Sequence, residues 1–160
     1  MTVARLADPA RLYVAWRVAH AIAVDGRRRE RARQEVLIAA EMERQGITAR
    51  LVAVDALMRT AEFIPAFLAR FDAVKDAPDG PKNESDVRDL AFEVVRELGG
   101  DTTDVNMVVF LYPDGRIRFG PEGEDRVTVS TPAARQRCID ALDARAAEIL
   151  AAGTGQENGA

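Results

Sequence analysis

The residues best suited to chemistry are few and far apart. His20 is the only histidine and Cys138 the only cysteine. A nucleophile–base pair would have to bring one of them to a partner from elsewhere in the chain. His20 falls within a helix-forming run and reads as a structural or surface residue. Cys138 falls on the apolar side of another helical run, where a small buried thiol is the ordinary case; a reactive thiol needs an exposed, electropositive setting. No glycine-rich phosphate loop, no HExxH, no CxxC and no GxSxG occurs. Two acidic groups could hold a hard cation: Asp101 with Asp104, and Glu122, Glu124 and Asp125. Neither has the alternating oxygen ligands and terminal glutamate of a calcium loop, so both read as solvated loop acids. The expectation is a protein with no catalytic residues, no metal and no cofactor.

The charges say more. Residues 1–76 carry 13 Lys/Arg against 10 Asp/Glu, a balance of +3; residues 77–160 carry 9 against 16, a balance of −7, which together give the net −4. Such a split suits two halves that meet different partners, or each other across an oligomer. The positive charge is concentrated in Arg27, Arg28, Arg29, Arg31 and Arg33, interleaved with Glu30 and Glu35. Arg116 and Arg118 add a second, smaller group after a predicted turn. These seven arginines are the candidate interaction residues. They would serve a protein partner or self-association first, and nucleic acid second, because a domain charge of +3 is below the usual basic footprint.

The elements that must carry these residues follow from periodicity. Asp8-Pro9 is a helix start, with Asp as cap and Pro in the first turn. Leu12, Trp16, Ala19 and Ala23 recur at helical spacing, flanked by Val14, Val18 and Ile22, as in a helix buried on more than one side. Asp25-Gly26 should end or bend it, and the arginine run should form a second helix that Gly46 closes. Thr48 opens a third. A fourth begins near Thr60, bearing Phe63, Phe67, Phe71 and Val74, with Pro65 confined to its first turn.

The stretch around residues 35–71, helix, glycine turn, helix, break, helix, has the outline of a tri-helical DNA-binding unit. In the order of Ala39, Ala40, Glu41, Gly46 and Thr48 it resembles the N-terminal DNA-binding segment of plasmid KfrA-type proteins. That resemblance implies DNA contact through residues 27–71. The helix that would read bases offers Glu62 and Arg70.

The second half reads differently. After a Pro-, Gly- and Asp-rich linker at 77–85, Ser85 should cap a short helix with Val87, Leu90, Ala91, Val94, Val95 and Leu98 on its apolar side. Residues 107–112 are apolar on both faces, which predicts a strand covered on both sides. Pro113-Asp114-Gly115 supplies a type I turn closed by a left-handed glycine. Then Ile117 and Phe119 face inward, with Arg116 and Arg118 toward solvent. A third strand at 126–130 turns Val127 and Val129 inward. Thr131-Pro132 starts a last helix with Cys138, Ile139, Leu142, Ala146, Ile149 and Leu150 inward, ended by Gly153.

The predicted fold class is thus α+β and mainly helical. An N-terminal helical bundle of about four helices (1–76) is followed by a linker (77–85), a helix–three-stranded antiparallel sheet–helix unit (86–152) and a disordered tail (153–160). The second face of the central strand needs cover from the N-terminal helices or from a second copy of the chain. No apolar run approaches the ~20 residues of a membrane span. The N-terminus lacks a secretory pattern and the single cysteine suits a reducing compartment, so a cytoplasmic location is expected, with no membrane partner. The function these features suggest is that of a small non-enzymatic interaction protein, a regulator, adaptor or assembly factor. The alternative is a helix-turn-helix DNA-binding regulator.

Overall fold

The caps and turns written into the sequence place most of the element boundaries. The computed structural model describes residues 8–157, which order as α1 (Pro9–Arg44), α2 (Ile47–Met58), α3 (Phe63–Val74), α4 (Glu84–Glu97), β1 (Val105–Met107), β2 (Val109–Leu111), β3 (Ile117–Phe119), β4 (Thr128–Ser130) and α5 (Pro132–Glu157). Asp8 caps α1 by accepting from the Ala10 N–H at 3.1 Å. Gly46, at φ +76°, closes α1 in the left-handed conformation that a side chain resists. Pro65 is the third residue of α3, where its missing N–H breaks no helical hydrogen bond. Thr131 caps α5, its Oγ1 accepting from Ala134 N–H at 3.1 Å.

Two helices outrun their predicted ends. α1 continues through Asp25-Gly26 without a break, so the described residues contain three helices before residue 76 rather than about four. Glycine in a helix interior costs only ~1 kcal/mol, and Asp25 pairs with Arg29 across it at 2.9 Å, one turn apart. α5 likewise passes Gly153 and reaches Glu157, so the predicted tail begins as helix; residues 158–160 lie outside the described residues. At α4 the cap is Asn83, not Ser85: its Oδ1 accepts from Asp86 N–H at 2.9 Å, and the Asp86 carboxylate accepts from Lys82 N–H at 3.0 Å.

The chain divides into two compact units, one ending at Ile38 and one beginning at Ala39. In the first, every described residue of α1 up to Leu37 is exposed except the half-buried Val24. The expectation that Leu12, Trp16 and Ile22 are buried on more than one side is therefore corrected. They lie open, with Trp16 at 60% and Ile22 at 68% of full exposure.

The second unit has its own core. Val54 and Met58 of α2, Phe63 and Phe67 of α3, Val87, Ala91, Phe92, Val94 and Val95 of α4, and Val105, Met107 and Val109 form one buried cluster. Phe63, Phe67 and Phe71 stack in a row along α3, and Phe119 of β3 sets its ring edge-on to Phe63 and Phe67 at 5.8 and 5.0 Å.

The three-stranded sheet is replaced by two antiparallel pairs, β1–β4 and β2–β3. One extended stretch, residues 105–111, changes partner at Val108. Met107 is the last residue opposite β4, facing Thr128, and Val109 is the first opposite β3, facing Phe119. Asn106 holds the N–H of Met107 with its own side chain at 2.8 Å at this crossing. Val105, Met107 and Val109 are buried while Phe110 and Leu111 are open, so the stretch is covered on one face, by α2 and α4, and not on both. In β4 the deeply buried residue is Thr128, whose hydroxyl donates to Leu51 C=O at 3.1 Å; Val127 is only part-buried against the core.

The predicted turn is present as read. Tyr112 C=O accepts from Gly115 N–H, Tyr112 N–H donates to Arg116 C=O, and Gly115 sits at φ +85°.

Candidate interaction surfaces

The five arginines at 27, 28, 29, 31 and 33 are exposed on the continuous α1. One continuous turn geometry fixes how they point. Arg27 and Arg31, four residues apart, share one side, and Arg29 and Arg33 share another. The helix therefore carries positive charge around its girth instead of along one stripe. Immediately before them, Leu12, Tyr13, Val14, Trp16, Val18 and Ile22 are all open. An aromatic row runs along this segment: Tyr13 stacks on Trp16 at 6.0 Å and Trp16 on His20 at 5.3 Å. His20 is thus an exposed residue packed on an indole. Val36 and Leu37 add a second open apolar step beyond the arginines.

The hairpin of β2 and β3 forms the other candidate surface. Arg116 is exposed, reaches Asp114 at 2.6 Å and lies over the Tyr112 ring at 4.8 Å. Arg118 lies on the face opposite Ile117 and Phe119, as the alternation predicts, but is only part-exposed. Its cross-strand neighbour is Phe110, and its guanidinium lies over that ring, 4.4 Å from the ring centre, half-buried, with Glu122 at 3.6 Å. Arg118 Nε is buried without a hydrogen-bond partner, consistent with a guanidinium held by the ring face rather than by acceptors.

Two ionic clusters escaped sequence reasoning. Glu41, only 1% exposed, accepts from Arg44 at 2.7 and 3.1 Å, from Gln45 at 2.9 Å and from Arg145 at 2.5 Å. The hydrogen bonds from Arg44 and Gln45 hold its carboxyl at about 2, well below the ordinary carboxylate value. Asp104, at φ +64°, receives Arg137 through two hydrogen bonds of 2.7 and 2.8 Å and Arg50 through one of 2.6 Å. Its carboxyl is also held low, chiefly by Arg137. Asp104 is therefore not a solvated loop acid but an anchor for α5, while Asp101 caps the turn before it by accepting from Thr103 N–H. Arg44 and Gln45 lie three and four residues from Glu41, but Arg137 and Arg50 lie 33 and 54 residues from Asp104 and Arg145 lies 104 from Glu41, and no local pattern marks these three. Cys138 is buried, and burial together with nearby Glu41 pushes its thiol up, away from the reactive thiolate.

Arg70, the one cation of the would-be base-reading helix α3, is held by Glu93 at 2.8 Å and by Glu97 of α4. Among the described residues no three His, Cys, Asp or Glu side chains group as metal ligands, and no helix is long and apolar enough to cross a membrane. The chain matches no protein-family model, no curated protein and no solved structure.

Proposed function

We propose that the chain is a non-enzymatic interaction protein, a regulator, adaptor or assembly factor, that works by docking α1 onto a protein partner. One observation carries this reading. The helix exposes six large apolar side chains between residues 12 and 22 while the core from Ala39 onward is complete without them. Monomeric proteins rarely expose contiguous apolar patches above a few hundred Å² unless something binds there. The test is a comparison of immobilised full-length protein with a variant carrying Leu12→Glu, Trp16→Glu and Ile22→Glu. A partner retained by the first and lost by the second supports the reading; equal retention, or none by either, rejects it.

A second reading has its own support. A continuous, exposed helix with five arginines in two turns is one geometry that enters a DNA major groove, and here Arg27, Arg28, Arg29, Arg31 and Arg33 would make the phosphate contacts. Arg70 is committed to α4, so α3 adds little to that reading. Anisotropy of labelled mixed-sequence duplex at low and near-physiological salt decides it. Binding that falls steeply with salt supports DNA contact, and absence of binding at low salt removes it.

A further inference from the structure

The open face of α1 restricts what can cover it. Leu12, Trp16, Ala19 and Ala23 follow one another at intervals of four, three and four, the alternation that keeps one seam of a helix against another helix. This seam is graded, with two large side chains at its N-terminal end and two small ones at the other. A parallel copy would set Trp16 against Trp16 and the alanines against each other, crowding one end and leaving the other empty. An antiparallel copy, with its two-fold axis between Arg17 and Val18, sets Leu12 opposite Ala23 and Trp16 opposite Ala19, so that each large side chain meets a small one.

Charge selects the same arrangement. Parallel pairing lays the five arginines of one helix beside the five of the other. Antiparallel pairing carries each run past the other helix's N-terminal end, where Asp8 comes within reach of Arg27 and Arg29. Tyr13 of one helix then lies near His20 of the other. The large apolar side chains this seam would cover are Leu12 and Trp16, 56% and 60% exposed in the single chain.

We propose that α1 pairs antiparallel with α1 of a second copy of this chain over residues 8–29. The proposal rests on the interaction reading and names its partner. The pair spans ~33 Å of helix at 1.5 Å per residue. It leaves Val36 and Leu37 outside the seam.

Two measurements on the full-length protein test it. Trp16 is the only tryptophan, so its emission reports the seam directly: a blue shift with rising concentration, tracking a twofold mass by light scattering, is expected. Trp16→Glu should weaken association at least tenfold while the main thermal transition stays in place. For direction, the double variant Leu12→Cys with Ala23→Cys should form a disulfide-linked dimer on mild oxidation, and each single variant should not. Efficient linkage of Leu12→Cys alone would show parallel pairing and overturn the proposal. So would a chain that stays monomeric, or one whose association ignores Trp16→Glu. A monomer that still retains a different protein through Trp16 loses this proposal but keeps the interaction reading; a monomer that retains nothing loses both.

Discussion

A buried carboxylate ringed by cations is a stability element with a pH signature. Glu41 falls from an ordinary 4.5 to about 2 in the fold because Arg44, Gln45 and Arg145 favour its charged form. A depressed folded value means that the charged form stabilises the native state fully above pH ~4.5, and that this contribution is lost as pH falls toward ~2. Thermal melts across that window should show a steep loss of stability in the wild type and a shallower one in Glu41→Gln, which is less stable at neutral pH; parallel curves would show that the cluster is inert. Gly120 offers a second test. Its φ is +96°, and an added Cβ would meet Arg126 C=O and Val127 Cα at 2.9 Å. Gly120→Ala should cost ~1–3 kcal/mol in denaturant melts. Gly123→Ala, with φ +78° but open space around it, should cost only the ~1–2 kcal/mol of the left-handed backbone. At this scale the sequence was legible where one residue acts on its own neighbours, as at Asp8, Gly46, Thr131 and the Pro113-Asp114-Gly115 turn. It was illegible where partners are distant, as at Asp104 and in the Arg145–Glu41 pair, and where two local caps compete, as at Asn83 and Ser85.

Among the elements, α1 shows how a breaker signal can lose. A glycine in mid-helix removes ~1 kcal/mol and no hydrogen bond, whereas a proline would remove both. With nothing within 4 Å of a Cβ built at Gly26, Gly26→Ala should strengthen α1 by ~0.5–1 kcal/mol. Slower amide exchange at residues 20–32 would report it; unchanged or faster exchange would mean that the helix bends there in solution. The strand prediction erred in the opposite sense. Continuous apolarity over 107–112 predicts cover on both faces, but Phe110, on the outer face, holds Arg118 on its ring, and Leu111, on the same face as Val109, is open at the hairpin end. The inward set of the hairpin was legible, since Ile117 and Phe119 do pack on the core. Phe67, which meets Phe63, Phe71 and Phe119 at once, should cost ~3–5 kcal/mol as Phe67→Ala.

On the scale of the whole molecule, the buried core and the surface proposed for recognition occupy different stretches of chain. The core cluster begins at Val54, and α1 up to Leu37 contributes none of it. Reversing Arg28, Arg29 and Arg33 to Glu therefore isolates recognition from folding. Arg29 pairs with Asp25 on the surface, its side chain 76% exposed. Such a pair is worth at most a few tenths of a kcal/mol. The main thermal transition should thus move by no more than a degree or two, and a large fall would show that the segment is structural. Association should respond strongly. In the antiparallel pair, Asp8 would face glutamate at position 29 in place of arginine, so the variant should dissociate at higher concentrations than the wild type at low salt. The gap should close near 1 M salt, where the Debye length is ~3 Å. A gap that persists at that salt would mean that the arginines act through shape rather than charge, and would count against the pairing of Asp8 with Arg27 and Arg29.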